Sequence, residues 1–348
     1  MQNLVLIGAG KRVKKNIIPS IILNQAFNIK QIISRKSGEK VSISFNGKEL
    51  NYKTSSLEKL DLSNINYIYI GIKSEEINNV IQYIITKFDT REKILIIDTP
   101  PIYIKDIFKI RNFLKFKNIF ILEDWPSMLT SKIYKEFVDN KLLGELKNIK
   151  FYNSSYKYHT LSLLRKLFRL NNFFLITRKF GRGNFSTNIF SGFSIIANIK
   201  EPRNYNAGKI LLVGTKGTLS DYKIKTNYKI NKFILDYEIS NKKLSAINIF
   251  LNKKLFKKYP IIENFHLSDK NKGNELHYLL KIISVSEILS NIEANKFENK
   301  YNFENALYDY LAYFIFDKIG IFVDIPIPFT KMSLLNVFIK LILVRNVF

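Results

Sequence analysis

One short stretch constrains this chain more than any other: an apolar run, then a glycine turn, then residues at helical spacing. Leu4-Val5-Leu6-Ile7 carries no polar residue, Gly8-Ala9-Gly10 follows at once, and Lys11-Arg12-Val13-Lys14-Lys15-Asn16-Ile17-Ile18 has the period of a helix. A parallel strand covered on both faces reads as unbroken Val, Ile and Leu. Two glycines let the backbone turn sharply and approach a pyrophosphate at a helix N-terminus. A second apolar strand, Ile29 to Ile33, ends in Ser34-Arg35. In dinucleotide-binding folds the tip of this strand meets the adenosine ribose, where an acid bonds the 2′-hydroxyl of NAD and an Arg pairs with the 2′-phosphate of NADP. Here the tip is basic, so NADP(H) is favoured and NAD(H) remains possible. Val13 stands where the third glycine of G-x-G-x-x-G is expected, which predicts a helix set slightly further from its strand.

The next 90 residues repeat the alternation. Val41 to Tyr52 alternates around Asn46-Gly47, a hairpin signal. Tyr67 to Ile70 is a buried-type strand ending at Gly71-Ile72-Lys73; Ser74 is placed to cap the following helix, with Glu75 and Glu76 in its first turn. Further strands are predicted at Lys93 to Ile97, before Asp98-Thr99-Pro100-Pro101, and at Ile119 to Leu122, before Glu123-Asp124-Trp125-Pro126. Strands alternating with helices predict a doubly wound parallel sheet of the Rossmann type. Ligands of such sheets bind outside the carboxyl ends of the strands. That rule nominates Gly8, Gly10, Lys11, Arg12, Val13, Ser34, Arg35, Gly71, Ile72, Asp98 and Trp125 for the cofactor before any family is considered.

From Ser127 the pattern changes. Long alternating segments (Asn184 to Ile199, Lys209 to Val213, Lys229 to Tyr237, Leu244 to Leu251) predict an α+β domain with an open, mostly antiparallel sheet, finished by helices from Asn274 to Asn295 and Phe303 to Ile319. The expected organisation is a dinucleotide-binding domain over 1–123 and a substrate-binding and oligomerisation domain over 124–348.

Composition removes several function classes. The chain has 348 residues, no cysteine and three histidines (His159, His266, His277), which excludes a thiolate metal site and leaves no His pair at zinc spacing. Its net charge of +26 would attract polyanions. The lysines are spread along the whole chain without a nucleic-acid recognition motif, so no nucleic-acid partner is expected. Met332 to Phe348 is apolar but interrupted by Lys340 and Arg345, too short to span a membrane, and fits a docked or amphipathic tail. With the first strand beginning by residue 4 and no signal peptide before it, a cytoplasmic location is expected.

Taken in order, the GAGKRV turn, the Pro-bearing turn after the fourth core strand, "DNKLLGELKNIKF", "YHTLSLLRKLF" and "GKILLVGTKGTLSDY" resemble the Gfo/Idh/MocA family over nearly the full length. The resemblance implies a two-domain NAD(P)-dependent oxidoreductase acting on a sugar, nucleotide-sugar, cyclitol or related carbonyl. It also implies a homo-oligomer, dimer or tetramer, contacting through the open sheet, and a role in carbohydrate or surface-polysaccharide biosynthesis. The departures are specific. Asp98-Thr99-Pro100 stands where the family usually has Glu-Lys-Pro, and Thr99 cannot carry the charge of that Lys. The Asp-x-x-x-His motif appears as Ser155-x-x-x-His159, and Ile72-Lys73 replaces a frequent Thr-Pro pair.

Hydride transfer at an alcohol carbon needs one group to manage the hydroxyl proton, and His is the side chain already poised near neutral pH. His159 is therefore the first candidate acid/base, with Tyr158 beside it and Lys73 as a replacement for the missing Lys. Thr99 and Arg165 are candidate substrate contacts, and Trp125, the single tryptophan, lies at the interdomain crossing. Two other functions stay open: a member that has lost catalysis and serves as a nucleotide- or sugar-binding partner, and a reductase of imines or other C=N compounds.

Overall fold

The computed structural model describes residues 1–45, 47–152, 159, 162–164, 174–180, 184–191, 195–200, 209–221, 230–266 and 272–294, with 303, 306, 307, 309, 310 and 321–323. In the first half, β1 (Gln2–Ile7) leads through the glycine turn into a π-helical turn at Val13–Ile17 and α1 (Ile18–Asn24). β2 (Phe27–Ile33), the hairpin β3 (Lys40–Phe45) and β4 (Lys48–Lys53), β5 (Tyr67–Ile70), α2 (Ser74–Lys87), β6 (Ile94–Asp98) and β7 (Asn118–Leu122) follow. The parallel sheet has the order β2-β1-β5-β6-β7. Chain direction through the sheet therefore reverses between β1 and β5, the switch point at which such sheets open a crevice.

Alternation along the strands sorts residues onto two faces. Leu4, Leu6, Tyr67, Tyr69 and Ile96 join the core that holds Val13, Ile17, Ile18 and Ile21 of the first helical segment. Val5, Ile7, Ile68, Ile70 and Ile97 join the core that holds Ile77, Ile81 and Ile84 of α2. Both faces are covered, which is why the strands read as continuous apolar runs. The hairpin forms a separate two-stranded sheet and adds no strand to this one.

The second half begins with α3 (Leu129–Asp139) and β8 (Leu146–Tyr152). β9 (Phe174–Phe180), β10 (Asn184–Ser191), β11 (Ile195–Lys200), β12 (Lys209–Gly214), β13 (Gly217–Ser220), β14 (Asn231–Ser240), β15 (Lys243–Leu251) and β16 (Lys254–His266) follow, then α4 (Lys272–Glu293) and β17 (Ile321–Val323). Ten of these strands form one sheet in the order β16-β15-β14-β13-β12-β8-β11-β10-β9-β17. Its pairings are antiparallel except β8–β11 and β13–β14. The expected open, mostly antiparallel sheet is present.

α4 returns to the first half. Ser20 Oγ donates to the Ile282 carbonyl at 2.9 Å and Asn24 Nδ2 to the Ser286 carbonyl at 3.1 Å, while Val285, Leu289 and Ile292 complete the core under α1. Phe303, Ala306 and Leu307 complete the opposite core, where Phe303 stacks on Phe113. Residues beyond 280 thus help cover both faces of the first sheet.

Candidate active site

The switch point puts the crevice at the carboxyl ends of the strands, and the residues there form two groups, an outer one at the glycine turn and an inner one around His159. At the outer end, Gly8 sits at φ +120°, and a Cβ there would lie 2.4 Å from the Gly71 carbonyl oxygen. Only glycine lets β1 and β5 end this close together. Gly10 is exposed, and a Cβ on it would meet nothing within 4 Å. Its space is open to a ligand. Val13 is fully buried against the strand side, and the helix widens into its π turn where this side chain replaces glycine. Lys11 is exposed, with Nζ 6.0 Å from the Tyr278 ring of α4, and Lys15 Nζ is 5.3 Å from the same ring. Ser34 is half-buried at the tip of β2. Arg35 is 81% exposed and pairs with Glu76 of α2 at 2.9 Å.

Arg12 turns the other way. Its guanidinium bonds Asp98 through Nε at 3.2 Å and Asp124 through Nη1 at 2.7 Å, tying the glycine turn to the ends of β6 and β7. Burial raises the Asp98 carboxyl above its ordinary value; Arg12 opposes the shift and Asp124 adds to it. At Asp124 burial pushes upward too, but Arg12 and Lys281, whose Nζ is 3.8 Å away, hold that carboxyl well below the usual range. Tyr69 packs behind Asp98, and burial first, then the Asp98 charge, raises its hydroxyl well above the usual phenol range.

The innermost group is His159. It is buried, and its Nδ1 lies 2.8 and 2.7 Å from the two carboxylate oxygens of Glu123, a side chain with no exposed surface. The Trp125 ring stacks on the imidazole at 5.7 Å with 8° between planes. Ser162 Oγ donates to the His159 carbonyl at 2.8 Å. His277 of α4 meets the edge of Trp125, and loss of hydration, then Lys281, pull it down to about 3. His277 is therefore neutral at physiological pH.

Several predicted site residues meet here and others do not. Arg12, Asp98, Trp125 and His159 share the crevice. Thr99 lies half-buried after Asp98 and joins Pro100 through a cis peptide bond. Gly71 and Ile72 follow β5, while Lys73 is exposed at the cap of α2, and the expected Ser74 hydroxyl cap is not formed. Tyr158, Arg165 and the 332–348 tail lie outside the described residues. Glu123, Lys281 and His277 were not assigned from sequence. The two α4 residues are one helical turn apart on a face that Ser284 continues, with its Oγ donating to the Asp124 carbonyl at 2.7 Å. Among the described residues there is no cluster of ligands suited to a metal ion, and no helix is long and apolar enough to cross a membrane.

A five-stranded parallel sheet with its crevice at a switch point, joined to a ten-stranded open sheet and closed by a returning helix, is a specific arrangement. A myo-inositol dehydrogenase from Corynebacterium glutamicum ATCC 13032 superposes on it with a TM-score of 0.60 over 94% of this chain and 100% of its own, at 12% identity. It has the Gfo/Idh/MocA fold. An oxidoreductase from Agrobacterium radiobacter, in complex with NAD+, L-tartaric acid and magnesium, shares that fold (TM-score 0.62, 10% identity, 92% of this chain and 98% of its own). So does a super-repressor mutant of Gal80p from Saccharomyces cerevisiae (TM-score 0.58, 12% identity, 88% and 93%). No family model matches the sequence, and no curated protein matches it either. At these identities the Gfo/Idh/MocA fold is common ground and side-chain chemistry is not.

Proposed function

We propose that the chain is a nicotinamide-dependent oxidoreductase acting on a hydroxyl or carbonyl of a sugar-like molecule, with NADP(H) preferred. The observation that carries this is the buried Glu123–His159 pair at the inner end of a crevice whose outer end is an open glycine turn. The residues present fit a dinucleotide. Gly10 leaves room for a pyrophosphate at a helix start, Lys11 stands beside it, and Arg35 stands at the tip of β2 where a 2′-phosphate would lie. Bound there, the nicotinamide would supply or accept the hydride.

The chain's own task is the proton. When an alcohol is oxidised, the hydroxyl proton passes to His159 as the carbon–oxygen double bond forms; in reduction His159 returns it. The part-buried ion pairs of Arg12 hold the turn and the ends of β6 and β7 in one geometry around that step. The test is turnover of NADP(H) and NAD(H) against a panel of sugars, cyclitols and their keto forms. His159→Ala should lower kcat by about 10²–10⁴-fold while leaving cofactor affinity unchanged. Cofactor-dependent turnover that His159→Ala leaves intact would refute the assignment.

A second reading, a binding protein without turnover, is favoured by one feature. Thr99 and Ser155 replace the two charged groups that the resemblance places in the catalytic half, and a super-repressor mutant of Gal80p has the same fold. Saturable dinucleotide binding with no turnover on the whole panel would select it.

A further inference from the structure

We infer that Glu123 is the positioning residue of this site: its carboxylate fixes the tautomer and orientation of His159 and directs Nε2 at the substrate hydroxyl. The inference rests on the assignment of the proton step to His159, and it names the group that takes over the orienting role where Ser155 stands in place of an acid.

The geometry is particular. Glu123 and Asp124 are consecutive at the end of β7 and serve opposite partners. Asp124 answers two permanent cations, Arg12 at 2.7 Å and Lys281 at 3.8 Å. Glu123 answers the imidazole, with both carboxylate oxygens within 2.8 Å of Nδ1. In this assignment Glu123 is the acceptor and the proton between the two groups is carried on Nδ1 of His159. Of the two ring nitrogens, Nε2 is then the one that exchanges a proton with substrate.

Glu123 is itself held. Its Oε1 also accepts the Trp125 backbone N–H at 3.3 Å, and its own backbone N–H donates to the Ile121 carbonyl at 3.1 Å. The Trp125 ring lies nearly parallel to the imidazole, which restricts rotation about the side-chain axis. A buried carboxylate with one direct imidazole partner is costly to leave unpaired, so the pair persists in the protein without ligand.

The experiment is ¹⁵N NMR of the full-length protein carrying ¹⁵N-labelled histidine. The chain has only three histidines, and His159→Ala identifies the relevant signals by their loss. The expected wild-type result, without cofactor, is a proton retained on Nδ1 of His159, with Nε2 as the nitrogen that titrates. A proton resting on Nε2 in the wild type would overturn the proposal, whatever the variants do. In Glu123→Ala the proton should move toward Nε2, the site preferred by an unconstrained imidazole; unchanged ring shifts would also overturn it. If Glu123→Ala does not fold, Glu123→Gln carries the kinetic arm. It should lower kcat by about 10²-fold or more with little change in cofactor KM, and Glu123→Asp should restore part of the loss. Equal kcat in the Gln variant and the wild type would count against the proposal. The NMR result decides it even if no substrate is ever turned over, so its failure is distinguishable from failure of the oxidoreductase reading.

Discussion

The two ends of the crevice are built on opposite principles. The outer end is made of backbone and exposed charge: Gly8 at positive φ, Gly10 open to solvent, and Arg35 in an exposed pair with Glu76. The inner end is made of charge that is partly or wholly buried and answered within the fold: Arg12 with Asp98 and Asp124, Lys281 with Asp124, and Glu123 with His159. Exposed pairs contribute little and exchange readily with ligands, whereas buried pairs cost much to break. The outer end is thus suited to capturing a charged ligand. The inner end is suited to holding reacting groups still.

The largest expected stability effects separate the two acids on Arg12. Asp124→Asn should cost about 3 kcal/mol in urea denaturation at neutral pH, because Lys281 and half of the Arg12 pairing lose their counter-charge. Asp98→Asn should cost about 1 kcal/mol, since burial already disfavours the ionised Asp98. Their pH dependences have opposite sign. The lowered carboxyl of Asp124 adds stability above the ordinary carboxylate range and loses it as pH falls, so the Asn variant should approach wild type in acid. The raised carboxyl of Asp98 is tolerated best when protonated, so its Asn variant should lose least at neutral pH. Equal costs for the two variants, with the same pH trend, would erase the distinction.

The glycines offer the next contrast. Gly8→Ala should destabilise the protein by about 2 kcal/mol or more, because the new methyl meets the Gly71 carbonyl at a φ that L-residues avoid. Gly10→Ala should change stability by less than about 0.5 kcal/mol while weakening dinucleotide binding, because its methyl fills ligand space and no protein space. Calorimetric melting and cofactor titration of both variants read the two effects separately.

Much of this was legible in the sequence. Unbroken runs such as Leu4 to Ile7 and Tyr67 to Ile70 marked strands buried on two faces, and their carboxyl ends located the crevice. What was not legible depended on contacts between distant parts of the chain. No local pattern tells Arg12 to leave the solvent side of the turn for Asp98 and Asp124, because those carboxylates are 86 and 112 residues away. Glu123 stood in plain view at a strand end. Its role needed His159, 36 residues further along the chain, to be placed against it. Val13 is a middle case: the sequence predicted a displaced helix, and the structure has a π turn at that position.

The smallest expected effect concerns cofactor choice. Arg35→Asp should weaken NADPH by about tenfold or more through loss of a charge-assisted contact, and NADH by no more than about twofold. Equal loss of both would remove Arg35 from the 2′-phosphate.

Trp125, the single tryptophan, stacks on His159 and so reports from the inner end itself. The most direct measurement is therefore titration of the full-length protein with NADPH, and separately NADH, followed by Trp125 emission. The expected result is saturable quenching by both, tighter for NADPH, and retained in His159→Ala. Emission that does not respond to either dinucleotide up to millimolar concentration would contradict a nicotinamide seated between the glycine turn and the Glu123–His159 pair.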